Sequence, residues 1–134
     1  MSIENEGHQQ AHKWVALVTG GRDFSPSKVA RAKLDSALCG AVVMFSGDAR
    51  GFDSFALERA SHGLIPVYRC PALWEHEGNS AGPRRNSRML AMGRGTAREL
   101  GIGIKLIAGP GGRGTADMCA KAKAVGIEVI EIPP

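Results

Sequence analysis

Five short runs rich in apolar residues recur along this chain, and a helical pattern lies in each gap between them. The runs are residues 14–19, 41–46, 65–69, 104–108 and 128–132. The first, Trp14-Val15-Ala16-Leu17-Val18-Thr19, is nearly continuous, as suits a strand covered on both faces. Helical patterns occupy about 25–39, 52–62, 84–100 and 115–125. Strand–helix alternation of this kind predicts an α/β fold: a mainly parallel sheet of about five strands, helices on both faces and right-handed crossovers. Pro66 removes a ladder donor, which places the third strand at an edge. With 134 residues and 43% hydrophobic residues, the chain suits one compact domain. Residues 1–12 have no periodicity to bury and are expected to form a loose tail before a domain at 13–134.

The helix boundaries follow from capping chemistry. Ser25-Pro26 supplies an N-cap and a first-turn proline, Ala30, Leu34, Ala37 and Leu38 share a face, and Gly40 is a stop. Asp53 is expected to cap the second helix, and Gly63 to close it after His62. Residues 70–83 form the longest irregular segment, and it carries Trp74, Glu75, His76 and Glu77. In the helix that follows, Gly93 and Gly95 each weaken the helical pattern by about 1 kcal/mol.

Glycine-rich turns follow three of the strands, at the carboxyl ends where open parallel sheets bind ligands. The strongest is Gly109-Pro110-Gly111-Gly112-Arg113-Gly114-Thr115, between a strand and a helix. Backbone N–H groups beside a helix N-terminus are a ready site for phosphate or another anion. The segment is not a Walker A loop, because no Gly-Lys-Ser/Thr follows, and it lacks the acidic residue of a dinucleotide fingerprint. Gly20-Gly21-Arg22-Asp23 follows the first strand, with Arg22 able to grip a phosphate or to pair with Asp23. Gly47-Asp48-Ala49-Arg50-Gly51 follows the second, where Asp48 is suited to accept from ribose hydroxyls or a base. Arg84, Arg85 and Asn86 open the fourth helix, where cations oppose the dipole and a bound anion relieves the penalty. Arg84, Arg88, Arg94 and Arg98 form one side of that helix, and Met89, Leu90, Ala97 and Leu100 the other.

The remaining signals mostly exclude. A net charge of +4 favours anionic partners without indicating nucleic acid. One Tyr, two Trp and four Phe are too few for a stacking surface that binds single strands. Cys39, Cys70 and Cys119 form no C-x-x-C pair, and Cys39 and Cys119 read as small core residues. No metal is expected: His76 between Glu75 and Glu77 is a poor ligand set, because adjacent side chains diverge. Trp74 is read as a loop anchor before a stacking platform. No run is long or apolar enough to span a membrane, and the polar first residues carry no signal-peptide core. A cytoplasmic setting is expected, and no motif assigns a cofactor.

Taken in order, Gly20-Gly21-Arg22-Asp23-Phe24, Gly47-Asp48-Ala49-Arg50-Gly51-Phe52-Asp53, Ala81-Gly82-Pro83-Arg84-Arg85-Asn86 and Gly111-Gly112-Arg113-Gly114-Thr115 resemble the YspA/cpYpsA-related branch of the SLOG superfamily, found in bacteria and phages. The resemblance covers about residues 14–132. It implies a Rossmann-like, three-layer domain that binds nucleotides or nucleotide-derived ligands, commonly as a dimer or larger assembly. Relatives include LOG-type phosphoribohydrolases, which release a base from ribose 5-phosphate, domains that sense or process NAD-derived signals in antiviral defence, and the single-strand-binding DprA proteins. The LOG signature Pro-Gly-Gly-x-Gly-Thr-x-x-Glu carries a catalytic Glu. Here Pro110 to Thr115 match, but Met118 takes the Glu position and Asp117 is expected to point elsewhere.

The function expected is therefore binding, by sensing or sequestration, of a phosphorylated nucleotide or an NAD- or ADP-ribose-derived molecule. The backbone at 111–115 holds phosphate, Arg22, Arg50, Arg84 and Arg85 neutralise it, and Asp48 and Asn86 contact sugar or base. The alternative is a nucleotide N-glycosidase with Asp48 or Glu77 as the acid. The third reading is single-stranded nucleic-acid binding, disfavoured by the aromatic content.

Overall fold

The computed structural model describes residues 12–134. The expected tail at 1–12 lies, apart from His12, outside the described residues. Five strands, β1 (Trp14–Thr19), β2 (Ala41–Ser46), β3 (Val67–Arg69), β4 (Gly103–Ala108) and β5 (Glu128–Glu131), form one parallel sheet in the order β3-β2-β1-β4-β5. The helices are α1 (Lys28–Ala37), α2 (Phe52–His62), the single turn α3 (Trp74–Glu77), α4 (Ala81–Leu100) and α5 (Arg113–Ala124). The strand order reverses at β1, so the crevice beyond β1 and β4 is the switch point of a Rossmann-like α/β fold. β3 is an edge strand, as Pro66 requires.

β1 explains the layering. It is buried along its whole length, pairs in parallel with β2 and β4, and sends alternate side chains to opposite faces. Trp14, Ala16 and Val18 pack with Leu34 of α1 and with Phe52, Ala56 and Ala60 of α2. Val15 and Leu17 pack with Met89 and Ala97 of α4 and with Met118 and Ala122 of α5.

Several boundaries differ from expectation for local reasons. The first helix starts at Lys28, because Ser27 and not Ser25 is the N-cap; its Oγ accepts from the Ala30 N–H at 3.0 Å. It ends at Ala37, which leaves Cys39 exposed beyond it and not in the core. Asp53 is not a cap: Gly51, at φ 80°, holds that place and Asp53 lies inside the first turn. The segment at 70–83 is more ordered than expected, with α3 and a 3-10 turn at Gly78–Ser80 leading directly into α4. Leu100, assigned to the apolar side of α4, is exposed at its end.

Gly93 is a packing device and not merely a weak point. A Cβ there would stand 2.6 Å from Leu17 Cδ2 and 3.2 Å from Ile104 Cδ1, so the missing side chain lets α4 sit close on the sheet. Gly95 faces open space. Gly93→Val is therefore expected to cost about 1–3 kcal/mol through overpacking. Gly95→Ala is expected to gain up to about 1 kcal/mol from helix propensity. Chemical denaturation of both variants checks the contrast; equal effects at the two glycines contradict it.

Candidate functional site

A cleft of about 640 Å³ opens at the carboxyl ends of β1 and β2 and the N-terminal ends of α2, α4 and α5. Its wall includes Thr19, Gly20, Gly21 and Arg22 after β1, and Gly47, Asp48 and Asp53 after β2. Gly82, Arg85 and Asn86 of α4, and Gly112, Arg113, Gly114, Thr115 and Asp117 at the start of α5, complete most of the rest. Twelve of the expected binding residues thus meet in one place.

Main-chain contacts hold the turns together. Gly21 N–H donates to the Pro110 carbonyl at 2.7 Å, and Phe52 N–H donates to the Gly21 carbonyl at 3.0 Å. Gly109 N–H donates to the Thr19 carbonyl at 2.9 Å. A Cβ at Gly21 would meet the Pro110 carbonyl oxygen at 2.8 Å, so glycine is required for this approach.

Five expected ligand residues take other roles. Gly109 is buried and makes room for the Phe52 ring, which also lies against Gly20. Gly111 packs on Thr115 and the Gly21 backbone. Asp23, Arg50 and Arg84 lie outside the cleft wall, and Arg84 instead approaches Glu77 at 3.7 Å. Glu77, an expected catalytic acid, is also outside; Arg88 donates to both its oxygens.

Arg85 and Asn86 act chiefly as struts. Arg85 donates to the Gly47 carbonyl, at 3.4 Å to the Cys70 carbonyl and at 2.9 Å to Asn86 Oδ1. Burial lowers its pKa, opposed by the charge of Asp53. Asn86 is buried, and its amide donates to the Gly114 carbonyl at 3.1 Å and to Asp117 Oδ2 at 3.0 Å. Both amide donors are therefore committed inside the protein, contrary to the expected contact with sugar or base.

Asp117 faces the cleft, contrary to expectation, while Met118 is fully buried in the core beneath α5. Burial works against the Asp117 charge, but hydrogen bonds from Lys121 (2.6 Å) and Asn86 outweigh it and hold the carboxyl below its ordinary value. Trp74 is 51% exposed on the cleft wall over Gly82, so it stands open to stacking and is not a buried anchor. Sequence reasoning missed Arg69, 3.8 Å from Asp48; only the pairing of β3 with β2 brings them together. Among the described residues, no group of three or more His, Cys, Asp and Glu could hold a metal ion. Nor is any helix there long and apolar enough to cross a membrane.

Asp53 is the most perturbed group. It is 4% exposed, and its Oδ2 accepts from the Ala49 N–H at 3.1 Å. Burial pushes its pKa up to about 6, against the lowering effects of the Ala49 hydrogen bond and the Arg85 charge. A carboxyl raised in the folded state binds more protons there than when unfolded, so stability falls as pH rises through roughly 4 to 6. Asp53→Asn removes that dependence. The variant is expected to lose about 2 kcal/mol less stability than wild type between pH 4 and pH 7. Denaturant unfolding at both pH values measures the difference; parallel losses contradict it.

No family model matches the chain, and no curated protein matches it. Among solved structures it is similar to DNA processing protein A (DprA) from Streptococcus pneumoniae, with a TM-score of 0.46 and 17% sequence identity. The match covers 91% of this chain and 60% of that one, so the chain spans less than two thirds of that protein.

Proposed function

We propose that the cleft binds a phosphorylated nucleotide or an ADP-ribose-type molecule and holds it intact, as a sensor or sequestering protein of the SLOG type that the sequence motifs resemble. The supporting observation is convergence: the N-terminal ends of three helices and the residues Arg22, Arg85 and Arg113 meet at one cleft of about 640 Å³. The N-cap of α5, Gly112, makes no side-chain hydrogen bond, which leaves first-turn N–H groups for an anion. The phosphate lies against residues 112–115, with Arg22 and Arg113 closing over it as exposed cations. The base stacks on Trp74. Such an assembly binds charge and an aromatic face together, the two recognisable ends of a nucleotide.

The test is incubation of purified protein with mononucleotides, NAD and cyclic ADP-ribose-type molecules, followed by chromatography of free, bound and product species. Recovery of an intact ligand after denaturation is the expected result. Release of free base with ribose 5-phosphate, or of nicotinamide, makes the protein an N-glycosidase instead. Arg113→Gln and Trp74→Ala are each expected to weaken binding roughly tenfold, the scale of one charge-assisted hydrogen bond or one stacked base. Glu77→Gln, outside the cleft, is expected to leave affinity unchanged. A single-stranded DNA titration whose affinity falls steeply with salt, with no small-molecule binding, overturns this reading in favour of nucleic acid.

A further inference from the structure

One polar atom beside the cleft has no hydrogen-bond partner among the described residues. Asp53 Oδ1 is buried without a hydrogen bond, although Oδ2 of the same carboxyl is satisfied by Ala49. Buried acceptors are normally paired, because a dry, unpaired oxygen destabilises the fold. Arg85 does not relieve it: its N–H groups go to the Gly47 and Cys70 carbonyls and to Asn86, so it acts on Asp53 through charge. Asp48, the other nearby carboxylate, sits exposed at the rim, 3.8 Å from Arg69. An acceptor kept open in the wall of a ligand cleft is a place for a donor on the ligand.

Its position suggests which donor. Asp53 belongs to the turn and helix after β2, and the phosphate cradle belongs to the turn after β4, with β1 between them. Two strand spacings separate these columns by roughly 10 Å. Starting from a 5′-phosphate, the first donors met along that span are the hydroxyls of the ribose. We propose that Asp53 Oδ1 accepts a hydrogen bond from a ribose hydroxyl, which makes the cleft selective for ribonucleotides over their deoxy counterparts. This rests on the nucleotide reading above. Asp53 belongs to the cleft wall, and because Oδ1 is buried the proposed contact requires the glycine turn at 47–51 to shift around the sugar.

The experiment is calorimetric titration of wild type and Asp53→Asn with adenosine 5′-monophosphate, its 2′,3′-dideoxy analogue and inorganic phosphate. Wild type is expected to prefer the ribonucleotide by about tenfold or more, the scale of a hydrogen bond to a charged acceptor. In Asp53→Asn that preference shrinks while phosphate affinity stays the same. An unchanged preference in the variant, or none in wild type, overturns the assignment of Asp53 and leaves the nucleotide reading standing. Failure of wild type to bind any of the three ligands overturns the assignment of Asp53, and together with no binding across the mononucleotide, NAD and cyclic ADP-ribose panel it overturns both. Proton release at pH 6 provides a readout that needs no variant. A hydroxyl donating to Asp53 favours its ionised form, so the ribonucleotide is expected to release more protons than the dideoxy analogue. Equal release also overturns the assignment.

Discussion

Everything in the cleft depends on how closely the main chain passes itself at Gly21. That residue donates to the Pro110 carbonyl and accepts from the Phe52 N–H, so one short turn ties the exits of β1 and β4 to the start of α2. Hydrogen bonds of this kind need the backbones to approach more closely than side chains allow, and Gly21 and Gly51 clear the way. Phe52 fills the space beneath. Its ring lies against Gly20 and Gly109 and meets Phe24 edge-on, with ring centres 5.0 Å apart. The glycines therefore serve two ends, some shaping the cleft wall and others seating the aromatic wedge that fixes the turns.

A second lock joins the helices on the opposite face of the sheet. Asn86 and Asp117 hydrogen-bond across α4 and α5, and Lys121 bridges Asp117 to the Pro83 carbonyl at 2.9 Å. The N-terminal ends of the two helices are thereby held side by side, both aimed at the cleft. Aligned dipoles of like sign repel one another unless an anion lies between them. The buried charge of Asp53 and the ionised Asp117 meet part of that need within the protein. On the proposed reading a phosphate would meet the rest, and preorganised N–H groups would bind it without having to rearrange.

The fold was largely legible because the signals for it are local and redundant. Apolar runs, glycine stops and Pro66 each report strand placement independently, whereas the order of the sheet was not read from the sequence, because right-handed crossovers fix the face each helix covers and not which strands are neighbours. The site was legible as a set of turns but less so as individual roles. Arg22 and Arg113 reach the cleft, whereas Arg50 and Arg84 look equivalent in sequence and do not. Gly109 reads as part of a phosphate loop until the Phe52 ring is seen against it. Asp53 was read as a cap because capping is the commonest use of an acid at a helix start. Only the tertiary contacts, which put Gly51 at the cap, bury the carboxyl and leave one oxygen open.

The first turn of α5 shows how one residue of phase bears on chemistry. Position 118 faces Val15, Leu17 and Leu106, so Met118 completes the core and an acid there would be a buried, unpaired charge. Position 117 faces the cleft, but its carboxylate is paired with Lys121, hydrogen-bonded by Asn86 and held ionised, which makes it a poor proton donor to a departing base. Glu77 is outside the cleft, held by Arg88, and Asp48 stands exposed beside Arg69. Asp53 has the pKa of an acid catalyst, yet the proposed pose sets it against the sugar hydroxyls and not the base. On the proposed reading, a cleft whose arginines meet phosphate and whose Asp53 meets the sugar is better suited to holding a nucleotide than to cutting it.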